Sequence, residues 1–498
     1  MLASIGALIA ISAPANSPPP TSSAAAEQPV AAEASDGETL LSHYMDQLYG
    51  RRFDEALATA KKLSPDKTNR QAMAIVSAMR AGALLGLNQD SQSLKLFREA
   101  DSGAPQLEFI SVVQFISGLV TDKPAVALEA IDRMIARFPD TLRSLDAETV
   151  FYVLRKKPKD QQQRNDDRTV GLAQLGFGGD DGDFLTADAV EILIKRGDLA
   201  GATDLLQYID EPRVIEDLLT RRRFSVIWPK VEAMAGPHLE NVRNSVVEKA
   251  QRAYEAAPTD TRKLSDLANA LRHAGRLDAA IALRAKLPAT PAGMAAADEH
   301  MGWAVNYVAL ALHSAGRSDE ADKLFALLND APMKGGSWRV SMKINRLELL
   351  VADGKFSQAL PLLDVTEASA KDGGNDYARQ LVRRLRYCAL SGLGKADEAA
   401  KLLPDIMKRA EDARAATIDG LVCAAKFDEA EKLALTSLAS SDFESSFVRS
   451  LQHTPLTDDD PSVWSQGWQE LRKRPAIAKE FERLGRDMPP ALTPPPPK

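Results

Sequence analysis

Only two of the 498 residues are cysteine, Cys388 and Cys423, which excludes a disulfide framework and any cysteine-built zinc site. Aromatic residues are scarce at 6%, while alanine and leucine recur in blocks, so the composition favours helices over strands. No apolar run reaches the roughly 20 residues that a membrane-spanning helix needs. The six histidines, His43, His238, His273, His300, His313 and His453, show no H-E-x-x-H spacing, and no G-x-S-x-G turn occurs. A basic surplus is also missing: 62 Lys and Arg face 69 Asp and Glu, for a net charge of −7. Neutralising phosphates needs the opposite balance, so nucleic acid is not the expected partner. What remains, 45% apolar and 26% charged residues, is the make-up of an ordinary folded chain.

The ends differ from the middle. Residues Leu2 to Ala15 form an uncharged, small-residue apolar run with the length of a secretory core and an Ala13-Pro14-Ala15 cleavage pattern. Ser23 to Ala26 offers a second cleavage site, although no Lys or Arg precedes the run. Residues 1–15 are therefore expected to be a signal peptide, and 16–37 a flexible Pro/Ala-rich linker too poor in bulky apolar groups to fold. Export implies a periplasmic or secreted protein. With no cysteine near the leader, there is nothing to acylate. Residues 488–498, rich in proline, read as a solvated polyproline tail. The two cysteines sit in apolar helical stretches and are expected to pack as small hydrophobes rather than to bridge.

Between the ends, one turn keeps returning. Gly-[Lys/Arg]-x-[Asp/Ser]-x-Ala occurs at Gly275–Ala280, Gly316–Ala321, Gly354–Ala359 and Gly394–Ala399, with a degraded copy at Ala425–Ala430. Arg51–Ala56 and Gly197–Ala202 fit as well, and Asn88–Ser93 and Asp122–Ala127 are weaker copies. The clear run is spaced by 41, 38, 40 and 31 residues, the length of a helical hairpin. The glycine, or Asn88, takes the left-handed conformation that ends the first helix. The Asp or Ser three places on is expected to cap the second helix and meet its dipole, and the alanine lets the two helices approach.

These residues resemble the tetratricopeptide repeat family. The best copy runs Leu264, Leu267, Ala268, Leu271, Gly275, Ala280 and Leu287, followed by Pro288 and Pro291. The next runs Val305, Val308, Ala309, Leu312, Gly316, Ala321, Phe325, Leu328 and Pro332. The copies at Gly354 and Gly394 depart from the pattern with Arg346 and Arg383 where an apolar side chain is expected. The resemblance implies an all-α fold: a right-handed superhelix of stacked hairpins, a TPR-like α-solenoid with flexible ends and a groove lined by first helices. Repeats are expected over 38–141 and 189–440.

Two regions break the pattern. Residues 142–188 hold a polar run and the stretch Gly176–Asp183, whose aspartates lack the spacing of a calcium loop, and are expected to form an irregular, mobile connection. Residues 441–487 begin with an Asp458–Pro461 helix start and are read as two short helices, Val463–Lys473 and Ala476–Arg486. They are expected to cover the open end of the array, with Trp464, Trp468 and Leu471 on one face and Ile477, Phe481 and Leu484 on another.

No nucleophile–base arrangement, cofactor motif or metal spacing is present, so the chain is not expected to be an enzyme and no cofactor is implied. The leading expectation is an exported, non-enzymatic scaffold for a protein or peptide. By helical periodicity, Arg262, Asn269 and Arg272 face the groove in one repeat, with Trp303, Asn306 and His313 in the next. Asn pairs with an extended backbone and Arg with carboxylates. The alternative is an envelope enzyme, or an accessory subunit of one, with a cleft near residues 142–188.

Overall fold

The computed structural model describes residues 36–63, 65, 68–156, 158–330, 337–440, 443–452 and 462–493. The leader, most of the linker, His453, Asp458–Pro461 and the last five residues lie outside them. Among the described residues all regular structure is helical, with 28 α-helices, and the chain divides at Ile209/Asp210 into two compact units.

Unit 1 contains α1 (Asp36–Tyr49), α2 (Phe53–Lys62), α3 (Arg70–Gly86), α4 (Asp90–Gly103), α5 (Glu108–Val120) and α6 (Pro124–Arg137). It continues with α7 (Pro139–Arg143), α8 (Ala147–Arg155), α9 (Gln162–Gln174), α10 (Asp183–Lys195) and α11 (Leu199–Leu205). Successive helices pair as hairpins, and α3 lies beside α5, so that Tyr44, Met79, Phe97, Ile110, Ile131 and Phe177 share one buried core. The expected flexible linker ends two residues early, since Asp36 and Gly37 already belong to α1.

The expectation of an irregular 142–188 segment is overturned. It folds into the end of α7, α8, α9 and the start of α10, its polar run ending α8 and, after a 3₁₀ turn at Lys159–Gln161, opening α9. Arg168 is buried and reaches Asp132 on α6, and Asn165 is buried beside it. The glycine-rich stretch is a single 3₁₀ turn, Gly179–Gly182, entered through Gly178 at φ +90°. The side chains of Asp180 and Asp181 lie outside the described residues, and no His/Cys/Asp/Glu group among those described could hold a metal ion.

Unit 2 starts with α12 (Pro212–Thr220), α13 (Trp228–Ala235) and α14 (Glu240–Ala256). The clear repeats follow: α15 (Thr261–His273) with α16 (Leu277–Ala282), the short α17 (Pro291–Ala295), α18 (Glu299–Ser314) with α19 (Ser318–Asn329), and α20 (Trp338–Ala352) with α21 (Phe356–Gly373). Then come α22 (Asp376–Gly392) with α23 (Ala396–Lys408), α24 (Arg414–Cys423) with α25 (Phe427–Leu438), α26 (Glu444–Ser450), α27 (Val463–Arg472) and α28 (Pro475–Leu484). The first helices α15, α18, α20, α22, α24 and α27 lie side by side and make one wall.

The turn chemistry is as expected in one respect and not in another. Gly275, Gly316, Gly354 and Gly394 have φ between +69° and +74°, and Ala425, Arg51, Asn88 and Asp122 take the same conformation without being glycine. The residue after each donates its N–H back to the last turn of the first helix, as Arg276 does to the Leu271 carbonyl at 2.9 Å and Arg317 to Leu312 at 2.8 Å. The repeat alanines Ala280, Ala321, Ala359 and Ala430 are at most 1% exposed, which confirms close helix approach. The acidic residue, however, is not the cap. Arg276, Arg317, Lys395 and Lys426 hold that position without a side-chain cap bond, and Asp278, Asp319, Asp397 and Asp428 lie within the first turn. There they face the dipole only. Arg346 and Arg383 keep their places in the repeats by pairing with Asp322 at 2.7 Å and Asp405 at 2.9 Å.

One more expectation fails. Cys388 and Cys423 form a disulfide, with Cα atoms 5.6 Å apart. They are 35 residues apart on neighbouring first helices, so the stacking that the repeat enforces brings equivalent positions face to face. Residues 441–487 do more than cover the last repeat, on whose apolar residues Leu421, Ala430 and Leu438 they pack. The helices form as read, with Trp468, Leu471, Ile477 and Phe481 buried, but α26 and α28 return to the beginning of the unit. Glu444, itself buried, pairs with Arg221 and Arg223; Asp217 binds Ser445 and Arg449. Arg486 lies 3.5 Å from the Trp228 ring and 2.6 Å from Glu232. The described part of the tail packs rather than floats: Met488, Leu492 and Thr493 are buried, and His238 donates its backbone N–H to the Ala491 carbonyl at 2.9 Å. Unit 2 is therefore a closed array.

Candidate functional site

A polar ladder runs along the first-helix wall of unit 2. Asn345 on α20 donates to Asn306 on α18 at 2.8 Å, Gln380 on α22 to Thr417 on α24 at 2.9 Å, and Arg384 on α22 bridges Glu348 on α20 and Asp419 on α24. Trp468 on α27 closes the run with an indole N–H to Asp419 at 2.8 Å. Each rung joins residues one repeat apart, so the periodic sequence places them at matching heights.

The six residues read as lining the groove do not stay together. Arg272, Asn269 and Trp303 do. The Arg272 guanidinium donates toward Asn269 at 3.4 Å and lies 5.8 Å from the Tyr307 ring, which stacks on Trp303 at 6.0 Å. All four are half-buried and reachable. Arg262 stands exposed at the opposite end of α15, ten residues before Arg272. Asn306 is 1% exposed and spent on Asn345, so it belongs to the packing between helices. His313 lies at the end of α18, where it bonds Asp353 at 2.7 Å beside the Gly354 turn. Burial raises the Asp353 carboxyl, but hydrogen bonds and charge from His313 and Lys355 outweigh it, and the group ends below the usual carboxylate range. His313 is thus part of a turn network. His273 and His313, though equivalent in the repeat, have unrelated partners.

Around Arg272 the structure gathers groups that the repeat pattern did not identify. His273 accepts a hydrogen bond from Arg272 at 2.6 Å, since a guanidinium has only donors. Partial withdrawal from water, then the charges of Arg272, Arg213 and Arg243, push the His273 imidazole down to about 3. Arg213, in the first turn of α12, is close enough for its charge to act on Arg272, His273 and Tyr307. Arg243 on α14 lies against the Gly275 turn, its Nη2 2.7 Å from where a β-carbon on that glycine would be. Desolvation and neighbouring positive charge lower Arg272 as well, and burial raises the Tyr307 phenol. Arg213 and Arg243 escaped the sequence reading because α12–α14 carry no recognisable copy of the turn from which positions could be counted.

No protein-family model matches the chain, and no curated protein matches it. Among solved structures, the chain is similar over 90% of its length to the crystal structure of Rap protein complexed with competence and sporulation factor. That alignment covers 98% of the Rap chain at 10% identity and a TM-score of 0.26. A similar stretch, again 90% of this chain, aligns with 75% of a chain in the structure of Naa15/Naa10 bound to HypK-THB, at 13% identity and a TM-score of 0.22. Scores this low describe a loose superposition.

Proposed function

We propose that the protein is an exported, non-enzymatic scaffold that holds a peptide or a segment of another protein against the first-helix wall of unit 2. The observation that carries this reading is the Arg272–Tyr307–Trp303 patch. It combines two stacked aromatic rings, a guanidinium and the Asn269 amide on adjacent first helices, all half-open to solvent. Aromatic and arginine side chains are the residue types that dominate binding energy in protein recognition, because each offers a large contact area with directed polar atoms. Asn306 and Arg384, on the same wall, are by contrast taken up by Asn345 and by Glu348 and Asp419.

Export is supported by the leader-like first residues and by the Cys388–Cys423 disulfide, a bond that persists in oxidising compartments and is rare in a reducing cytosol. No helix among the described residues is long and apolar enough to cross a membrane. The function is tested by selecting binders from a displayed peptide library on the full chain and re-measuring them on an Arg272→Ala/Trp303→Ala variant. A loss of at least about tenfold in affinity is expected from removing two anchors. Undiminished binding to the folded variant removes the wall as the binding surface. N-terminal sequencing of the mature protein tests export separately.

A further inference from the structure

The seam that closes unit 2 is built differently from the repeats it joins. Among the C-terminal helices, Phe447, Leu471 and Phe481 share an apolar core with Leu421, and no residue of α12–α14 belongs to it. Across the seam, Glu444 meets Arg221 and Arg223, and Asp217 meets Arg449 and Ser445, all polar contacts. Past α28 the chain cannot remain helical, because Gly485 ends the helix and Pro489 and Pro490 lack amide donors. It returns over the seam as a strap. Arg486 donates its backbone N–H to the Thr220 carbonyl at 2.8 Å and its Nε–H to the Leu219 carbonyl at 2.7 Å, beside the ion pair with Glu232. At the far end His238 donates its backbone N–H to Ala491 at 2.9 Å, and its ring Nδ1–H to the Thr493 carbonyl at 2.7 Å, since a carbonyl only accepts.

That far end sits on a strained turn. His238 and Leu239 are consecutive, neither is glycine, and their φ angles are +54° and +57°. The other non-glycine residues at positive φ among those described, Arg51, Asn88, Asp122 and Ala425, occur singly. A side chain is disfavoured in this region, and two such residues in a row persist only where their surroundings over-determine them. Here the surroundings include the strap, which takes the His238 N–H, while Leu239 bonds within the turn to the Gly236 carbonyl at 3.2 Å. We propose that residues 485–493 are a releasable latch, and that unit 2 opens at the seam between α12–α14 and α26–α28 while its repeats stay folded. Polar contacts are replaced by contacts with water at small net loss, so a seam held by them separates more readily than an apolar core. The turn adds to that bias, because it relaxes once the strap leaves. The motion also has a route to the first-helix wall. α14 starts at this turn, its Asn244 accepts from Arg276 at 2.7 Å, and its Arg243 lies against Gly275, so release reaches the end of α15, where Arg272 stands. The inference goes beyond the peptide reading: the latch operates whether or not the wall holds a peptide.

The test is native-state hydrogen exchange, read by mass spectrometry on the full chain and on full-length variants. Amides of residues 212–239 report on the seam, and those of α18 to α25 report on the repeats. Arg486→Gln removes the strap's ion pair and its hold on the Leu219 carbonyl. It is expected to speed exchange at the seam about tenfold and to leave the repeats unchanged. Acceleration of seam and repeats together, which is also what a variant that fails to fold would give, means a single cooperative unit. An unmoved seam means that the strap does not hold it. Either result overturns the proposal. The strained turn is tested by comparing His238→Gly with His238→Ala, since both lack the ring and only glycine enters the left-handed region freely. Exchange at the seam is expected to be about threefold slower with glycine, because the penalty removed from the closed turn exceeds the freedom glycine gains in the open one. Equal rates, or faster exchange with glycine, remove the turn from the latch and overturn the proposal as stated.

Discussion

Two arginines on the first-helix wall of unit 2 have opposite surroundings. Arg384 is 4% exposed, with Glu348 on one side, Asp419 at 3.0 Å on the other and the Trp464 ring 4.9 Å away. Its charge is accounted for within the chain. Arg272 is half-open, the charge of Arg213 acts on it, and its partners are an amide, an imidazole and an aromatic face. The same residue type on the same layer of helices thus does structural work in one half of the unit and is left available in the other. What decides between them is the neighbouring repeat: α20 and α24 supply carboxylates to α22, whereas α12 and α14 supply arginines to α15.

The sharpest way to break this comparison is to remove each guanidinium in turn. Arg384→Met leaves Asp419 with no cation in a place where burial already pushes its carboxyl up, and is expected to cost about 3 kcal/mol of unfolding free energy. Arg272→Met removes a charge that its neighbours disfavour and is expected to change stability by less than about 1 kcal/mol. Chemical denaturation of the two variants measures both. Equal losses would mean that Arg272 too is a structural residue, and the distinction between the halves would fall.

A second contrast is between neighbouring first helices that are covalently joined and those that are only packed. The Cys388–Cys423 bond ties α22 to α24 across 35 residues, and closing a loop of that length is worth about 2–4 kcal/mol through the unfolded chain. Reduction, or Cys388→Ser with Cys423→Ser, is expected to lower unfolding stability by that amount while leaving the unit folded. Arg384 and Asp419 lie between the same two helices, so the variants of the previous paragraph should cost more without the bond than with it. A stability that ignores reducing agent would show that the bond is not formed in solution.

How much of this was legible beforehand follows from what each feature depends on. The hairpins were readable because a left-handed turn residue is demanded at one fixed place, and Gly275, Gly316, Gly354 and Gly394 supply it. The buried alanines follow from the same spacing. The disulfide was in principle readable too, since Cys388 and Cys423 occupy adjacent repeats, but pairing depends on the heights of two helices, which spacing alone leaves open. Residues 142–188 looked irregular because Arg168 and Asn165, polar in sequence, are buried through mutual hydrogen bonding rather than hydrophobicity. The closure of unit 2 rests on Glu444, Asp217 and Arg486 meeting partners more than 200 residues away, and no local pattern encodes that. The arginine cluster was hidden for a related reason: Arg213 and Arg243 belong to helices without a countable repeat. All six residues inferred for the groove lie in the two cleanest copies, and what separated them was burial of Asn306 between helices and the positions of Arg262 and His313 at helix ends.

The smallest effect distinguishes turns that have glycine from the one in the repeat run that lost it. Ala425 adopts φ +55° where its counterparts are Gly316, Gly354 and Gly394, and a β-carbon in the left-handed region crowds the following peptide. The Lys426 N–H still reaches the Leu421 carbonyl at 2.8 Å, so the turn has the same hydrogen bonding and only the strain differs. Ala425→Gly relieves that strain but also loosens the unfolded chain, and the two oppose each other. The net expected is a gain of about 0.5 kcal/mol, because the left-handed penalty for alanine exceeds the entropy that glycine adds. Gly394→Ala, the mirror change one repeat earlier, should lose about as much. Measured together by denaturation, opposite signs at Ala425 and Gly394 would establish that the run of turns is held by backbone conformation, and a shared sign would place the control in the surrounding helices.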